Sequence, residues 1–157
     1  MELHENLALA GYRLEKAKND LKDARKSFAE EMYETAANRA YYAIFHAARA
    51  VLILDGQDYK RHSGVISFFR RDYIKTGILD ESLSEIIKNA FELRTESDYS
   101  DFFIISKAEI EKQIEDAVFF VAEIEKYLRN KIQDNVQRLK SLCLFLYEMR
   151  SAFRRTA

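Results

Sequence analysis

The chain of 157 residues has no proline, no tryptophan, one cysteine and four glycines. Proline and glycine interrupt helices more strongly than any other residues, so their scarcity predicts long helices and an all-α fold. The lone Cys143 excludes an internal disulfide and any zinc site built from several cysteines. No apolar run approaches the ~20 residues of a membrane span. Met1-Glu2-Leu3-His4-Glu5 also lacks the basic start and apolar core of a secretory signal. No membrane involvement and a reducing, cytoplasmic setting are the expectation.

What is present describes one folded domain. Hydrophobic residues make up 48% and charged residues 32%, the balance of a globular chain rather than a disordered one. The net charge of −1 hides an asymmetry. From residue 129 onward there are seven Lys or Arg (Arg129, Lys131, Arg138, Lys140, Arg150, Arg154, Arg155) against Asp134 and Glu148, a balance of +5 that leaves −6 for residues 1–128. A basic tail of this kind meets phosphate or an acidic partner, or is simply solvated.

Leu3, Leu7, Ala10, Leu14, Ala17, Leu21, Ala24 and Phe28 alternate at spacings of four and three, one apolar stripe on a first helix. A second helix is predicted from Tyr33 to Asp55-Gly56, followed by a polar loop from Asp58 to His62. Ser63 would cap a short third helix that closes at Lys75-Thr76-Gly77. Ser82-Leu83-Ser84-Glu85 and Ser106-Lys107-Ala108-Glu109 have capping-box spacing and open a fourth and a fifth helix. In the fifth, Ile110, Ile114, Ala117, Val121, Ile124 and Leu128 follow a heptad. Beyond Leu128 the chain is expected to bend near Arg129-Asn130 or to project. Leu142-Cys143-Leu144-Phe145-Leu146-Tyr147 is apolar around the whole helix, which predicts a sixth helix covered by the bundle or by a partner chain.

The second helix carries the most informative residues. In Asn38-Arg39-Ala40-Tyr41-Tyr42-Ala43-Ile44-Phe45-His46, the polar side chains Asn38, Tyr42 and His46 fall on one line, with Arg49 a turn further. Ala37, Tyr41, Ile44, Ala48 and Val51 form the neighbouring apolar line. Arg94 and Asp98, four apart near the end of the fourth helix, read either as a local ion pair or as a guanidinium aimed at phosphate. His62, in Lys60-Arg61-His62-Ser63 before a helix, suits anion binding or is a plain loop histidine. There is no Gly-x-x-x-x-Gly-Lys loop, dinucleotide fingerprint or Glu-x-x-His pair, so no metal or cofactor is expected.

The Asn38–His46 run, Lys60-Arg61-His62-Ser63-Gly64-Val65-Ile66, Tyr73-Ile74-Lys75-Thr76-Gly77, and Arg94 with Asp98-Tyr99 together resemble the HEPN-domain family over about residues 3 to 129. The resemblance implies an antiparallel four- or five-helix bundle over residues 1–129, with 130–157 as an added C-terminal helix. It also implies a homodimer, and a role beside a minimal nucleotidyltransferase in a prokaryotic toxin–antitoxin-like gene pair. By the same resemblance Arg94 and Asp98 are the candidate catalytic pair, and Asn38, Arg39, Tyr42, His46, His62, Arg94 and Tyr99 the candidate nucleotide- or RNA-binding residues. Tyr99 would be the acceptor if the partner transfers a nucleotide.

This sequence departs from the family's ribonuclease motif, an arginine followed four to six residues later by histidine: Asp98, Tyr99 and Ser100 fill that window, and no histidine follows His62. The expectation is therefore a binding partner without robust nuclease activity. The alternatives are a metal-independent endoribonuclease that uses Arg94 with a histidine from elsewhere, His46 or His62, and a structural adaptor acting through the C-terminal helix.

Overall fold

The computed structural model describes residues 2–99 and 104–156, with side chains for 3–99 and 104–151. Its elements are α1 (Glu2–Ala29), α2 (Tyr33–Leu52) running into a 3-10 turn (Ile53–Asp55), α3 (His62–Phe69) running into a π-helical turn (Arg70–Ile74), α4 (Ser82–Tyr99) and α5 (Lys107–Thr156). Among the described residues there is no β-strand, so the predicted all-α class is what forms. The chain resolves into two compact units, 1–125 and 126–157. No helix among the described residues is long and apolar enough to cross a membrane.

α2 is the centre of the first unit. Ala36, Ala40, Ala43, Ala47, Ala48 and Ala50 are fully buried, as are Tyr41, Ile44 and Val51, so this helix is covered on nearly every side. Its alanines let neighbouring helices approach closely at almost no cost in side-chain entropy. α1 packs along it as the first arm of a hairpin, through Ala10, Leu14, Ala17, Leu21 and Ala24; Leu3, at the start of the predicted stripe, is exposed. The first part of α5 contributes Ile110, Ile114, Ala117, Val121 and Ile124, all buried as the heptad required, and adds Phe120 against Phe69. Leu128, the last residue of the heptad stripe, is also buried.

The helix ends show which sequence signals were right. α1 stops without glycine: Glu31 takes a left-handed φ of 60° while Met32 N–H bonds Ser27 O, a Schellman-type ending. Gly56 and Gly77 close the 3-10 and π turns at φ 71° and 73°, as their positions suggested. The Ser106–Glu109 box forms, Ser106 N–H donating to Glu109 Oε2 at 2.9 Å and Glu109 N–H to Ser106 Oγ at 3.2 Å. Two cap predictions fail. α3 begins at His62 rather than after Ser63, with Arg61 in the extended cap position. At α4 it is Asp80, not a Ser82–Glu85 box, that holds the first turn, accepting from Ser82 N–H at 2.9 Å and from its hydroxyl. Aspartate so placed captures the free amide before a serine can turn back on its own helix.

In the second unit the expected sixth helix does not form as a separate element, because α5 passes through Arg129 and Asn130 without interruption. Nothing there breaks the backbone hydrogen-bond ladder, there being no proline or glycine from residue 78 onward. Ile132, Val136, Leu139, Leu142, Leu144, Phe145, Leu146, Tyr147 and Met149 are between 44% and 72% exposed in the single chain.

Candidate functional site

The loop after Gly56 delivers His62 to the side of α2. Asp58 fixes that loop: its carboxylate accepts from Arg13 of α1 at 2.9 Å and from Arg49 of α2 at 2.7 Å. The two guanidiniums hold its carboxyl below the usual range, against the opposing effect of burial, which is the largest single influence. Tyr59 stacks on Phe68 at 3.9 Å between ring centres and ties the same loop to α3. His62, four residues beyond Asp58, then lies parallel to Phe45, 4.2 Å between centroids.

Arg94, in the last turns of α4, reaches the same place. Its Nη1 lies 3.1 Å from His62 Nδ1, and its guanidinium sits over Tyr41 and Tyr42 at 5.1 and 5.5 Å from their ring centres. Asp98 meets its Nη2 at 3.3 Å, so the local ion pair and the aimed guanidinium are both present. The Tyr41 hydroxyl lies 2.6 Å from the same His62 Nδ1. Arginine can only donate. Tyr41, its pKa pushed up to about 12 chiefly by burial, keeps its proton and donates as well. Nδ1 is thus the acceptor, which places the proton of the neutral ring on Nε2. Burial first, then Arg94 and Arg49, push the His62 pKa down, with Asp98 opposing, so the ring is neutral at pH 7.

Arg39 flanks Tyr42 from a second position, 5.5 Å from the ring centre. It is held by Asp20 Oδ1 and by Asn38 Oδ1, both at 3.1 Å. Cation and aromatic ring attract through the ring quadrupole, so the two arginines and Tyr42 fix one another.

The candidates from the sequence are therefore partly united. Arg94, His62, Asp98 and Tyr42 form one cluster, and Asn38 and Arg39 adjoin it across Tyr42. His46 does not face Arg94. It is buried against Tyr42 and Phe45, with Nε2 3.7 Å from Asp20 Oδ2. Burial, then Lys16, Arg49, Arg13 and Arg39, lower its pKa to about 4, so it is a neutral imidazole and this contact is no ion pair at pH 7. Tyr99 is 85% exposed. Sequence reasoning missed Tyr41, whose hydroxyl orients His62, and Asp58, which ties down the loop. A phenol on an otherwise Ala, Ile and Val line was the available signal for Tyr41, because a buried hydroxyl needs a partner.

Of the hollows away from this cluster, two are lined by residues of the first unit. One, of about 450 Å3, is lined by Glu31–Thr35 with Ile104 and Ile105. The other, of about 180 Å3, is lined by residues that include Ile44, Ala90, Leu93 and Gln113. Among the described residues no three His, Cys, Asp or Glu side chains come together in a way that could hold a metal ion.

Compared with known proteins, residues 10–131 match the HEPN domain family. A toxin candidate of Methanocaldococcus jannaschii is 34% identical over 118 residues, 75% of this chain and 80% of that protein. A UPF0332 protein of Thermotoga maritima is 30% identical over 128 residues, 82% of this chain and 97% of its own length. A UPF0332 protein of Archaeoglobus fulgidus is 39% identical over 109 residues, 69% of this chain and 86% of that protein.

Proposed function

This chain belongs to the HEPN domain family, and from that premise we propose that it is a toxin-like HEPN protein that binds RNA or nucleotide phosphate at Arg94 and His62 and works beside a minimal nucleotidyltransferase in a two-gene pair. The observation that carries the reading is the pairing of Arg94 with a His62 whose Nε2 holds the proton. A guanidinium and a neutral imidazole N–H offer an oxyanion two kinds of donor without the repulsion of two adjacent cations. Relatives named as toxin candidates support the toxin-like assignment. The exposure of Tyr99 supports its role as acceptor for a nucleotidyl group, since a partner enzyme needs the phenol accessible.

A second reading, a metal-independent endoribonuclease, is favoured by one fact: an imidazole does stand within 3.1 Å of Arg94 although none follows it in sequence. Cleavage would need His62 to take the ribose 2′-hydroxyl proton while Arg94 stabilises the phosphate charge. The hydrogen bonds from Tyr41 and Arg94 oppose that role, because they occupy the lone pair of Nδ1 and leave Nε2 already protonated. Binding is therefore the reading the geometry favours.

The test is titration with an RNA oligonucleotide in chelator, for the parent protein and for Arg94→Ala and His62→Ala. Each substitution is expected to weaken binding by about 1 to 3 kcal/mol while thermal stability stays nearly level. Unchanged binding would refute the reading. Robust cleavage abolished by either substitution would install the nuclease reading instead. Incubation with the nucleotidyltransferase encoded next to it, plus nucleoside triphosphate, should add one nucleotidyl group at Tyr99; an unmodified protein would remove that part of the proposal.

A further inference from the structure

The hollow of about 180 Å3 is lined by α2, α4 and the first turns of α5. Its apolar lining includes Ile44, fully buried, Ala90, 3% exposed, and the half-buried Leu93. Gln113 of α5, 7% exposed, is the buried polar residue beside them. Its Nε2 donates to Ala37 O at 3.4 Å, while Oε1 is buried with no hydrogen-bond partner. Exchanging the two atoms would set one oxygen against another, so a flip of the amide brings no relief. A buried carbonyl without a donor is destabilising. The Nε2 contact is long, which leaves the last torsion of the side chain soft, and a small rotation turns the oxygen toward a donor inside the hollow. A mainly apolar hollow with one polar group to fix orientation has the make-up of a small-molecule site.

The charges around it narrow the ligand. Lys112 is paired with Asp116 at 2.7 Å, and Glu109 is the other charged residue of the lining, so one cation stands against two carboxylates. That balance repels an anion and separates this hollow from the Arg94–His62 cluster. In size, an apolar cavity of roughly 150 Å3 holds benzene, so a single ring fits. We propose that the hollow binds a small neutral aromatic molecule with one hydrogen-bond donor, the phenol class. The ring lies against Ile44, Ala90 and Leu93, and the donor goes to Gln113 Oε1. Burial of the ring against that wall and completion of the amide both favour the complex. The site does not depend on phosphate binding. The bland alternative is a hollow that holds only water, with water as the partner of Gln113.

The experiment titrates the full chain with phenol and with toluene, which have nearly the same shape but of which only phenol can donate. Methyl NMR signals of Ile44 and Leu93 report the hollow, and both ligands should shift them saturably. Gln113→Met keeps the volume of the side chain and removes the acceptor. In that variant the ratio of phenol to toluene affinity should fall roughly tenfold, the worth of one net hydrogen bond, and the comparison cancels the different hydration of the two ligands. Gln113→Met should also keep the parent's thermal stability, because the unpaired oxygen goes with it. Leu93→Phe, at a half-buried position that tolerates a larger ring, should fill the hollow and weaken both ligands. If Leu93→Phe fails to fold, the ratio in Gln113→Met still decides. Methyl signals that neither ligand moves would overturn the proposal and leave the hollow to water. An unchanged affinity ratio in Gln113→Met would overturn it as well, since the ring would then bind without using the amide.

Discussion

Acidification should cost this protein stability well above the range where carboxylates titrate, and His46 is the reason. In the folded chain its pKa is lowered from 6.5 to about 4, first by burial and then by Lys16, Arg49, Arg13 and Arg39. Between those values the unfolded chain holds a proton that the folded chain refuses, so stability rises with pH there. The contribution is complete above about pH 6.5 and is lost as pH falls toward about 4. At about 1.4 kcal/mol per tenfold change in proton affinity, the ceiling is about 3 kcal/mol, a sizeable part of the 5 to 15 kcal/mol typical of a domain. His62 acts in the same direction. Asp20 acts in the opposite one: burial raises its pKa, so the folded state takes up that proton first and gains stability as pH falls, which trims the net effect. Urea unfolding at intervals from about pH 7.5 to about pH 4.5 reads the slope. His46→Gln, neutral at every pH, should lose more than half of it, whatever the substitution does to stability at pH 7. A variant with the parent's slope would show that His46 titrates normally and that the cations around it are screened by water.

Asp58→Ala leaves the buried Arg13 and the partly exposed Arg49 without their shared carboxylate; unfolding should become easier by about 1 to 3 kcal/mol, and oligonucleotide binding should weaken because His62 is no longer held, whereas a loss of stability with intact binding would separate the clamp from the site. Ser106→Ala removes the capping box of α5 and should cost about 1 kcal/mol in chemical denaturation; no change would mean that the first turn of α5 frays in solution. The exposed apolar side chains of the second unit predict self-association: light scattering at micromolar concentration should give at least a dimer, and Leu146→Glu should lower the mass without altering the unfolding midpoint, while a monomeric parent protein would refute this.

The pattern of buried residues was legible where periodicity alone decides it. The heptad from Ile110 to Leu128 and the Ala37–Val51 line went inside as their spacing required. What spacing could not show was tertiary pairing. His62 and Arg94 are 32 positions apart and meet only because Asp58 turns the loop back onto α1 and α2. His46 lay on the correct polar line, yet α1 covers that line with Asp20, so the residue is buried beside the site instead of opening into it. Local competition also defeated the predicted cap of α4, since the carboxylates of Asp80 and Glu85 are rival acceptors for the Ser82 amide and only their geometry selects Asp80.

The sharing of Asp58 by Arg13 and Arg49 also limits how this sequence can drift over evolutionary time. Arg13 is almost fully buried, and with Asp58 gone its charge would sit in a poorly solvated place with only the Arg49 carbonyl, at 3.2 Å, to receive it. Replacing all three members of the triad by apolar residues could be nearly neutral, but each single step on the way is penalised. A lineage carrying this clamp is thus held in it by the intermediates, and the loop that presents His62 keeps its path even if the chemistry at His62 changes.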